Sequence, residues 1–179
     1  MTLHKLSARE LAEKIAAGSV SSKEATQHFI DRIEKHNPAI NAVIATRFDA
    51  ALKEAEAADD EIAKGNLKGP LYGLPMTIKD LFEVDGLTCD AGFLDYKGHV
   101  STSDAVLTTR LKAAGAIIIG KTNSPMAGGD IQTYNAVHGT TNNPRNLDHT
   151  PGGSSGGSSA ERMLATTGIH PAEDCSDCE

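Results

Sequence analysis

The residues best suited to chemistry lie in a glycine- and serine-rich run at positions 152–159, Gly-Gly-Ser-Ser-Gly-Gly-Ser-Ser. Glycine has no Cβ, so the backbone N–H groups and serine hydroxyls of such a run can approach a reacting carbonyl closely. The site would need a base, and Lys79 is the candidate because it directly follows the short apolar segment 74–78. Burial there favours a neutral amine that can accept a proton, and Ser–Lys pairs are a variant of the Ser–His–Asp triad. The hypothesis requires Lys79 to contact Ser154, which the spacing alone does not establish.

Each half of this hypothesis has a plainer alternative. The run at 152–159 has the composition of a flexible Gly/Ser linker, although only 20 residues follow it. Lys79 could equally be a lysine on a solvated face, as most lysines are. The sequence does not decide between these alternatives.

Two short motif matches are rejected because their structural context is wrong. Residues 115–122 fit the P-loop pattern G-x-x-x-x-G-K-[ST], but the four middle residues are themselves a strand, and Pro125 stands where a helix should begin. Residues 152–156 fit G-x-S-x-G, the nucleophile elbow, but no apolar strand precedes them. The downstream His170 also precedes Asp174, the reverse of the order that an α/β-hydrolase triad requires. We therefore expect neither a phosphate site nor an α/β-hydrolase.

The elements that must position these residues begin with a helical N-terminal region. Three helices are predicted there, over residues 7–18, 21–37 and 48–62. Ser7 and Glu10 have the spacing of a capping box, and Pro38 is expected to end the second helix after Asn37. The third helix is rich in Ala, Glu and Lys, which predicts a solvated element. Residues 40–44 form either a short strand or a packed turn.

The character of the sequence then changes. Segment 74–78 is short and apolar and predicts a strand. Residues 103–104 are expected to cap a helix that Gly115 ends, and residues 116–119 follow as a fully buried strand of the kind found in parallel sheets. A helix that leads into such a strand is half of a βαβ unit and indicates an α/β fold. Residues 120–157 show little periodicity, which is typical of functional or disordered stretches.

Composition argues against several classes of function. The formal net charge of −7 disfavours a general electrostatic grip on nucleic acid or on an anionic membrane. Aromatic residues are scarce, so base-stacking platforms are not expected, and no run of about 18 apolar residues is present to span a bilayer. The N-terminus lacks the features of a secretory signal, and the three cysteines do not make a disulfide framework. We therefore expect a cytoplasmic protein that binds neither nucleic acid nor membrane directly.

Four longer segments, taken in order, resemble the amidase signature family. They are residues 69–80, 113–123, 139–144 and 150–157, and the similarity runs from near residue 1 to about residue 160. The resemblance implies a mixed sheet core flanked by helices. It also implies an amidohydrolase that cleaves the C–N bond of a small-molecule carboxamide without metal or organic cofactor. Residues 129–135 look more like the stand-alone amidases than like the A subunit of the tRNA-dependent amidotransferases, whose glutamine-hydrolysing activity is the alternative.

The same resemblance implies roles for individual residues. Lys79 matches the base of a Ser–cis-Ser–Lys triad, and Ser154 matches the bridging serine, whose preceding peptide bond is cis in the family. Ser155 matches a supporting hydroxyl, and Gly128 matches a position on the wall of the substrate pocket. In this mechanism neutral Lys79 draws a proton from Ser154, which draws one from the nucleophile that attacks the amide.

The end of the chain departs from the family pattern. We therefore divide the sequence into the N-terminal part of an amidase signature domain, residues 1–160, and an atypical tail, residues 161–179, that we expect to be disordered. The family's nucleophile loop, Thr-Asp-x-Gly-Gly-Ser, is missing there. Family spacing places Cys178 at the nucleophile, but Ser176 and Asp177 replace both motif glycines, and the acidic surroundings would raise the pKa of a thiol.

Two further expectations follow from this tail. The Cys175-x-x-Cys178 pair with His170 upstream supplies too few ligands for a structural zinc ion, so no metal site is assigned. A family fold without its later strands would also leave exposed sheet edges through which copies could associate. The sequence therefore predicts an amidase whose activity is impaired or lost, or a non-catalytic truncated fragment.

Overall fold

A computed structural model describes residues 2–163, which form helices and a small mixed sheet. The helices are α1 (Ala8–Ala16), α2 (Ser22–Ile40), α3 (Phe48–Ala63), α4 (Val106–Ala113) and α5 (Gly156–Met163). The strands are β1 (Val43–Thr46), β2 (Pro75–Lys79), β3 (Ile117–Thr122), β4 (Tyr134–Asn135) and β5 (Gly139–Thr140). The predicted α/β class, with a helical N-terminal region, is confirmed. Over these residues, no helix has the length and apolar character needed to cross a membrane.

The first helix begins as predicted. Ser7 Oγ accepts a hydrogen bond from the backbone N–H of Glu10 at 3.3 Å, and the Glu10 carboxylate accepts from the backbone N–H of Ser7 at 2.7 Å. These two bonds are the reciprocal halves of a capping box, so two backbone donors at the start of α1 are satisfied. Leu11 and Ile15 then face the core and are fully buried.

The predicted end of the second helix is wrong. Helix α2 does not stop at Asn37 but continues through Pro38 to Ile40, and Asn41 closes it in the left-handed conformation. The Asn37 side chain organises this end: its Oδ1 accepts from the backbone N–H groups of Ala42 and Val43, each at 2.8 Å. Long-range bonds also hold the last turn: the carbonyls of Ala39 and Ile40 accept from the side chain and the backbone N–H of Asn142, at 3.0 and 2.9 Å. This anchoring outweighs the helix-breaking effect of proline.

Helix α3 is less exposed than predicted. Ala51, Ala55 and Ala58 form a buried stripe that packs into the same apolar cluster as residues of α2. Alanine allows two helices to approach closely, so a helix with few large apolar residues can still contribute to the core. The segment at 40–44, for which strand and turn were both open, leads into strand β1.

The main sheet has the strand order β1–β3–β2, with β3 in the centre. Strand β2 is parallel to β3, as expected, whereas β1 is antiparallel to it, so the sheet is mixed. Met76 pairs with Ile118 but Thr77 pairs with Gly120, so β3 accommodates one extra residue, Ile119, in a bulge.

Strand β3 extends beyond the predicted segment 116–119 and includes the polar residues Lys121 and Thr122, both fully buried. Apolar residues cover the two faces of the sheet. Ile117 and Ile119 pack with α1, α2 and α3. Ile118 packs with Met76 and Ile78 of β2, and with Leu107 and Leu111 of α4.

The predicted cap of α4 is wrong. The helix begins at Val106, and Ala105 precedes it without a side-chain cap. The Asp104 carboxylate instead accepts from the backbone N–H of Asp85 at 2.9 Å and from Lys112 Nζ at 2.7 Å. Asp104 therefore fastens the segment that follows β2, a role that local sequence signals do not reveal.

The glycine- and serine-rich run is not a linker. Its second half forms the start of α5, where Gly156, Gly157 and Ser158 are buried. Helix α5 continues to Met163, three residues past the boundary predicted at residue 160. The rest of the predicted tail lies outside the described residues.

Candidate active site

Lys79 and Ser154 are in contact. Lys79 is the last residue of β2 and is only 7% exposed, so the solvated-lysine alternative does not hold. Its Nζ lies 2.6 Å from Ser154 Oγ, although 75 positions separate the two residues in the chain. The structure thus brings together the two side chains that the sequence singled out.

A tight backbone bend presents Ser154 to the lysine. The peptide bond between Gly153 and Ser154 is cis, as the family resemblance implies. A Cβ on Gly153 would lie 2.8 Å from the carbonyl carbon of Ile131 and 2.9 Å from the carbonyl oxygen of Asp130. Only glycine allows the bend to pack this closely against the preceding loop.

Thr133 holds both sides of this bend, and sequence reasoning missed it. Its hydroxyl donates to the carbonyl of Gly152 at 2.8 Å and accepts from the backbone N–H of Gly156 at 3.0 Å. Both bonds are made by a residue about 20 positions upstream, in the segment that shows little periodicity. No local signal marks Thr133, because its function depends on this long-range contact.

The two remaining predicted site residues within the described part of the chain also lie here. A Cβ on Gly128 would lie 3.8 Å from Ser154 Oγ and 2.8 Å from a methyl group of Leu81, so Gly128 forms a wall beside the serine hydroxyl. Ser155 directly follows Ser154 and is buried. Cys178, the residue at the family spacing for a nucleophile, lies outside the described residues, as does the Cys175–Cys178 pair.

Two more side-chain pairs join the sheet to α5 beside the lysine–serine pair. Thr122 Oγ1 lies 2.8 Å from Ser158 Oγ, and Thr77 Oγ1 donates to Glu161 Oε2 at 2.7 Å. All four residues are buried. The face of the sheet that carries Lys79 is therefore polar at its carboxyl end and is covered by polar side chains of α5.

An amide network fixes the segment that leads from β3 to the site. Asn123 Nδ2 donates to Thr141 Oγ1 at 3.0 Å, and Asn135 Nδ2 donates to Asn123 Oδ1 at 2.8 Å. The Asn135 amide also donates to the carbonyl of Ser124 at 2.8 Å. These buried bonds join the short β4–β5 hairpin to the end of β3, and the sequence reasoning did not identify them.

A separate charged cluster lies on the opposite face of the sheet. Lys121 Nζ is 3.2 Å from Asp80 Oδ1, and both side chains are almost completely buried. Burial raises the pKa of Asp80, and the positive charge of Lys121 opposes that rise. Asp90 accepts from His138 Nε2 nearby, at 2.9 Å. Burial also raises the pKa of the Cys89 thiol, whose Sγ contacts the Asp80 carbonyl.

Asp80, Asp90 and His138 are the only group of three candidate metal ligands within residues 2–163. The Lys121 ammonium already lies against one of these carboxylates. A divalent cation would have to share the buried space with that positive charge, which is electrostatically unfavourable. The donor set therefore fits an internal ion-pair network better than a metal centre.

Comparison with known proteins places this chain in a family. Residues 24–167 match the Amidase family, and the chain belongs to that amidase signature family. The resemblance inferred from the four sequence segments is therefore confirmed.

The relatives include both classes of enzyme that the sequence resembles. The chain is 43% identical over 162 residues to the A subunit of the glutamyl-tRNA(Gln) amidotransferase of Desulforapulum autotrophicum, covering 89% of this chain and 32% of the relative. It is 38% identical over 175 residues to an acylamidase of Rhodococcus erythropolis, covering 98% of this chain and 36% of the relative. The chain thus spans about a third of the length of the curated relatives it matches.

Solved structures agree with this assignment. A fatty acid amide hydrolase superposes with a TM-score of 0.89 at 31% identity, over 94% of this chain and 30% of the other. A bacterial aryl acylamidase of the amidase signature family superposes with a TM-score of 0.86 at 32% identity, over 93% of this chain and 35% of the other. The described residues therefore form part of the amidase signature fold.

Proposed function

We propose that this chain supplies the lysine–serine part of an amide-hydrolysing site that acts on small carboxamides. The observation that carries the proposal is the 2.6 Å contact between Lys79 Nζ and Ser154 Oγ in a buried setting. At this distance one proton can be shared between the amine and the hydroxyl. Burial disfavours the ammonium form, so the amine gains the capacity to act as a base.

In this mechanism neutral Lys79 accepts the Ser154 hydroxyl proton while Ser154 accepts the proton of the nucleophile. The nucleophile attacks the amide carbonyl, the amine or ammonia departs with a proton returned through the same relay, and water releases the acyl group. Gly128 lies beside Ser154 and leaves room for the substrate on that side. The nucleophile is not among the site residues within 2–163; family spacing falls on Cys178, where Ser176 and Asp177 replace both motif glycines, so no nucleophile is assigned.

The test is ammonia release from a panel of aliphatic and aromatic carboxamides by the full 179-residue chain. Lys79→Ala and Ser154→Ala are expected to abolish turnover. Lys23→Ala and Ser19→Ala remove the same residue types at exposed positions and serve as matched controls. Turnover that survives Lys79→Ala contradicts the proposal, whereas a folded chain that releases no ammonia from any substrate supports the alternative of a non-catalytic fragment.

The role of Cys178 needs its own variant. Cys178→Ala abolishes turnover if the thiol is the nucleophile, whereas retained turnover assigns the attack to another residue. Covalent labelling with a fluorophosphonate, followed by peptide mapping, then identifies the reacting side chain. This experiment leaves the assignment of Lys79 and Ser154 untouched.

A second candidate function is the glutamine-hydrolysing A subunit of a tRNA-dependent amidotransferase. The 43% identity to proteins named as that subunit favours it. Such a protein is expected to release ammonia from glutamine in the presence of companion subunits and to act poorly on aryl or alkyl amides. The same substrate panel, with and without companion subunits from a relative, separates the two candidates.

A further inference from the structure

Glu161 is a buried carboxyl group that the proposed proton relay does not use. It is 0% exposed, and its Oε2 accepts a hydrogen bond of 2.7 Å from Thr77 Oγ1, which is also 0% exposed. Glutamate is almost never fully buried, because removing a charged group from water is costly. A glutamate that is buried in the protein interior therefore requires a physical explanation.

The position of Glu161 relates it to Lys79. Thr77 and Lys79 are two residues apart on β2, so their side chains project from the same face, roughly 7 Å apart along the strand. Helix α5 turns Ser158 and Glu161, three residues apart, toward that face. The carboxyl group therefore lies on the same side of the sheet as the lysine amine, about one strand step behind it.

We propose that Glu161 is a positioning residue that sets the proton affinity of the Lys79 amine. This inference rests on the proposed function, in which Lys79 is the base. When ionised, the Glu161 carboxylate at this range, shielded from water, favours the ammonium form of Lys79 and opposes the effect of burial. The Thr77 hydroxyl fixes the carboxylate at its distance from the amine. Lys79 then becomes a base only as the pH rises, instead of being neutral at all physiological pH values.

Other charged groups near Lys79 are arranged differently. The buried charged side chains among residues 2–163 are Lys79, Asp80, Asp90, Lys121 and Glu161. Asp80 and Lys121 offset each other at 3.2 Å on the opposite face, with Cys89, Asp90 and His138 around them. Arg162 is exposed and is screened by solvent. Among residues 2–163, Glu161 is therefore the buried carboxyl group that α5 places on the lysine's own face.

The experiment is a pH titration of the Lys79 side chain by NMR, in the full chain labelled with 13C-lysine and without substrate. The Lys79→Arg variant identifies the signal. Glu161→Gln is expected to lower the Lys79 midpoint by about one pH unit, because the amide keeps the shape but removes the charge. The unaltered chain should also show a smaller second inflection of the Lys79 signal where Glu161 titrates, since coupled groups report each other's protonation. This inflection requires no variant to fold.

Two controls separate charge from packing. Glu34→Gln removes an exposed carboxylate on α2 and should leave the Lys79 midpoint unchanged. Thr77→Val keeps the Glu161 charge and should leave the midpoint well above that of Glu161→Gln. A midpoint unchanged by Glu161→Gln, or lowered equally by Thr77→Val, overturns the inference. Neither result bears on amide turnover, so the proposed function can fail or stand independently.

Discussion

Two lysines of the central sheet are buried to nearly the same degree but have opposite surroundings. Lys121 lies 3.2 Å from a carboxylate oxygen of Asp80 and also donates to the carbonyls of Asp80 and Thr88. Lys79, on the opposite face, donates to or accepts from a neutral hydroxyl, Ser154 Oγ. One amine has a counter-charge in direct contact, and the other contacts a group that can give up a proton.

The difference shows how one small sheet separates a structural lysine from a candidate base. A carboxylate in contact with a buried ammonium group compensates its charge, so removing either partner leaves an uncompensated charge in the interior. A hydroxyl in contact leaves the protonation of the amine open, which is what proton transfer requires. The following variants test this contrast, beginning with the largest expected effect on stability.

Lys121→Met should be the most damaging change. It leaves the Asp80 carboxylate buried without its counter-charge, so we expect the free energy of unfolding to fall by about 3–5 kcal/mol in chemical denaturation at neutral pH. Lys112→Met, which removes a partner of the partly exposed Asp104, is the control and should cost less than about 1 kcal/mol. Equal losses for the two variants would show that the buried Asp80–Lys121 pair contributes no more to the free energy of unfolding than the partly exposed Asp104–Lys112 pair.

Thr133→Val should have an intermediate effect. The variant keeps the shape but leaves the carbonyl of Gly152 and the N–H of Gly156 without the hydroxyl, which predicts a loss of about 1–3 kcal/mol in the free energy of unfolding. Turnover should fall as well, because Ser154 is held between those two glycines. Thr109→Val, which removes a hydroxyl from the exposed side of α4, serves as the comparison. If both valine variants lose the same free energy of unfolding, the two hydrogen bonds of Thr133 do not stabilise the bend.

Lys79→Met should cost less stability than Lys121→Met. The contact that it removes at 2.6 Å is with the Ser154 hydroxyl, and the Glu161 carboxyl lies about one strand step away instead of in direct contact, so we expect a smaller loss in the free energy of unfolding, while any amide turnover disappears. Measuring the free energy of unfolding of Lys79→Met and Lys121→Met under the same conditions compares the two lysines directly. A stability loss as large as that of Lys121→Met would mean that Lys79 is also a structural cation.

The pH dependence of the free energy of unfolding tests the direction of the Asp80 pKa shift in the Asp80–Lys121 pair. Burial raises the pKa of Asp80 in the folded chain, so the folded state holds that proton more tightly than the unfolded state does. The resulting contribution to stability is fully present below the unfolded value near 3.8 and is lost as the pH rises through the folded value. The free energy of unfolding of the unaltered chain, minus that of Asp80→Asn, should therefore decrease as the pH rises above about 4. A difference that increases with pH would contradict the assigned direction.

The sequence allowed the lysine–serine pair to be predicted because both members carry a local signature. Lys79 ends an apolar strand, and Ser154 lies in a run of glycines whose wider context resembles a known family. The α1 capping box and the buried strand β3 were predictable for the same reason: neighbouring residues in the chain determine them. Such features require no knowledge of which distant segments meet.

The features that were missed depend on partners far away in the sequence. Thr77 and Glu161 are 84 positions apart, and Asn123 contacts Thr141 across 18 positions. No periodicity or motif marks these residues, since their polar groups are satisfied only after the chain has folded. Asp104 and Pro38 show the reverse error, in which a strong local signal was overruled by contacts that the whole fold supplies.

The bulge at Ile119 determines how the two lysines are related. If the regular pairing of Met76 with Ile118 continued along both strands, Lys79 would pair with Lys121, and both ammonium groups would crowd one side of the sheet. Because the bulge leaves Ile119 out of the pairing, the register instead places Lys79 beside Thr122 and Lys121 beside Ile78. A one-residue change of register thus keeps the candidate base, Lys79, on the opposite face of the sheet from the Asp80–Lys121 pair.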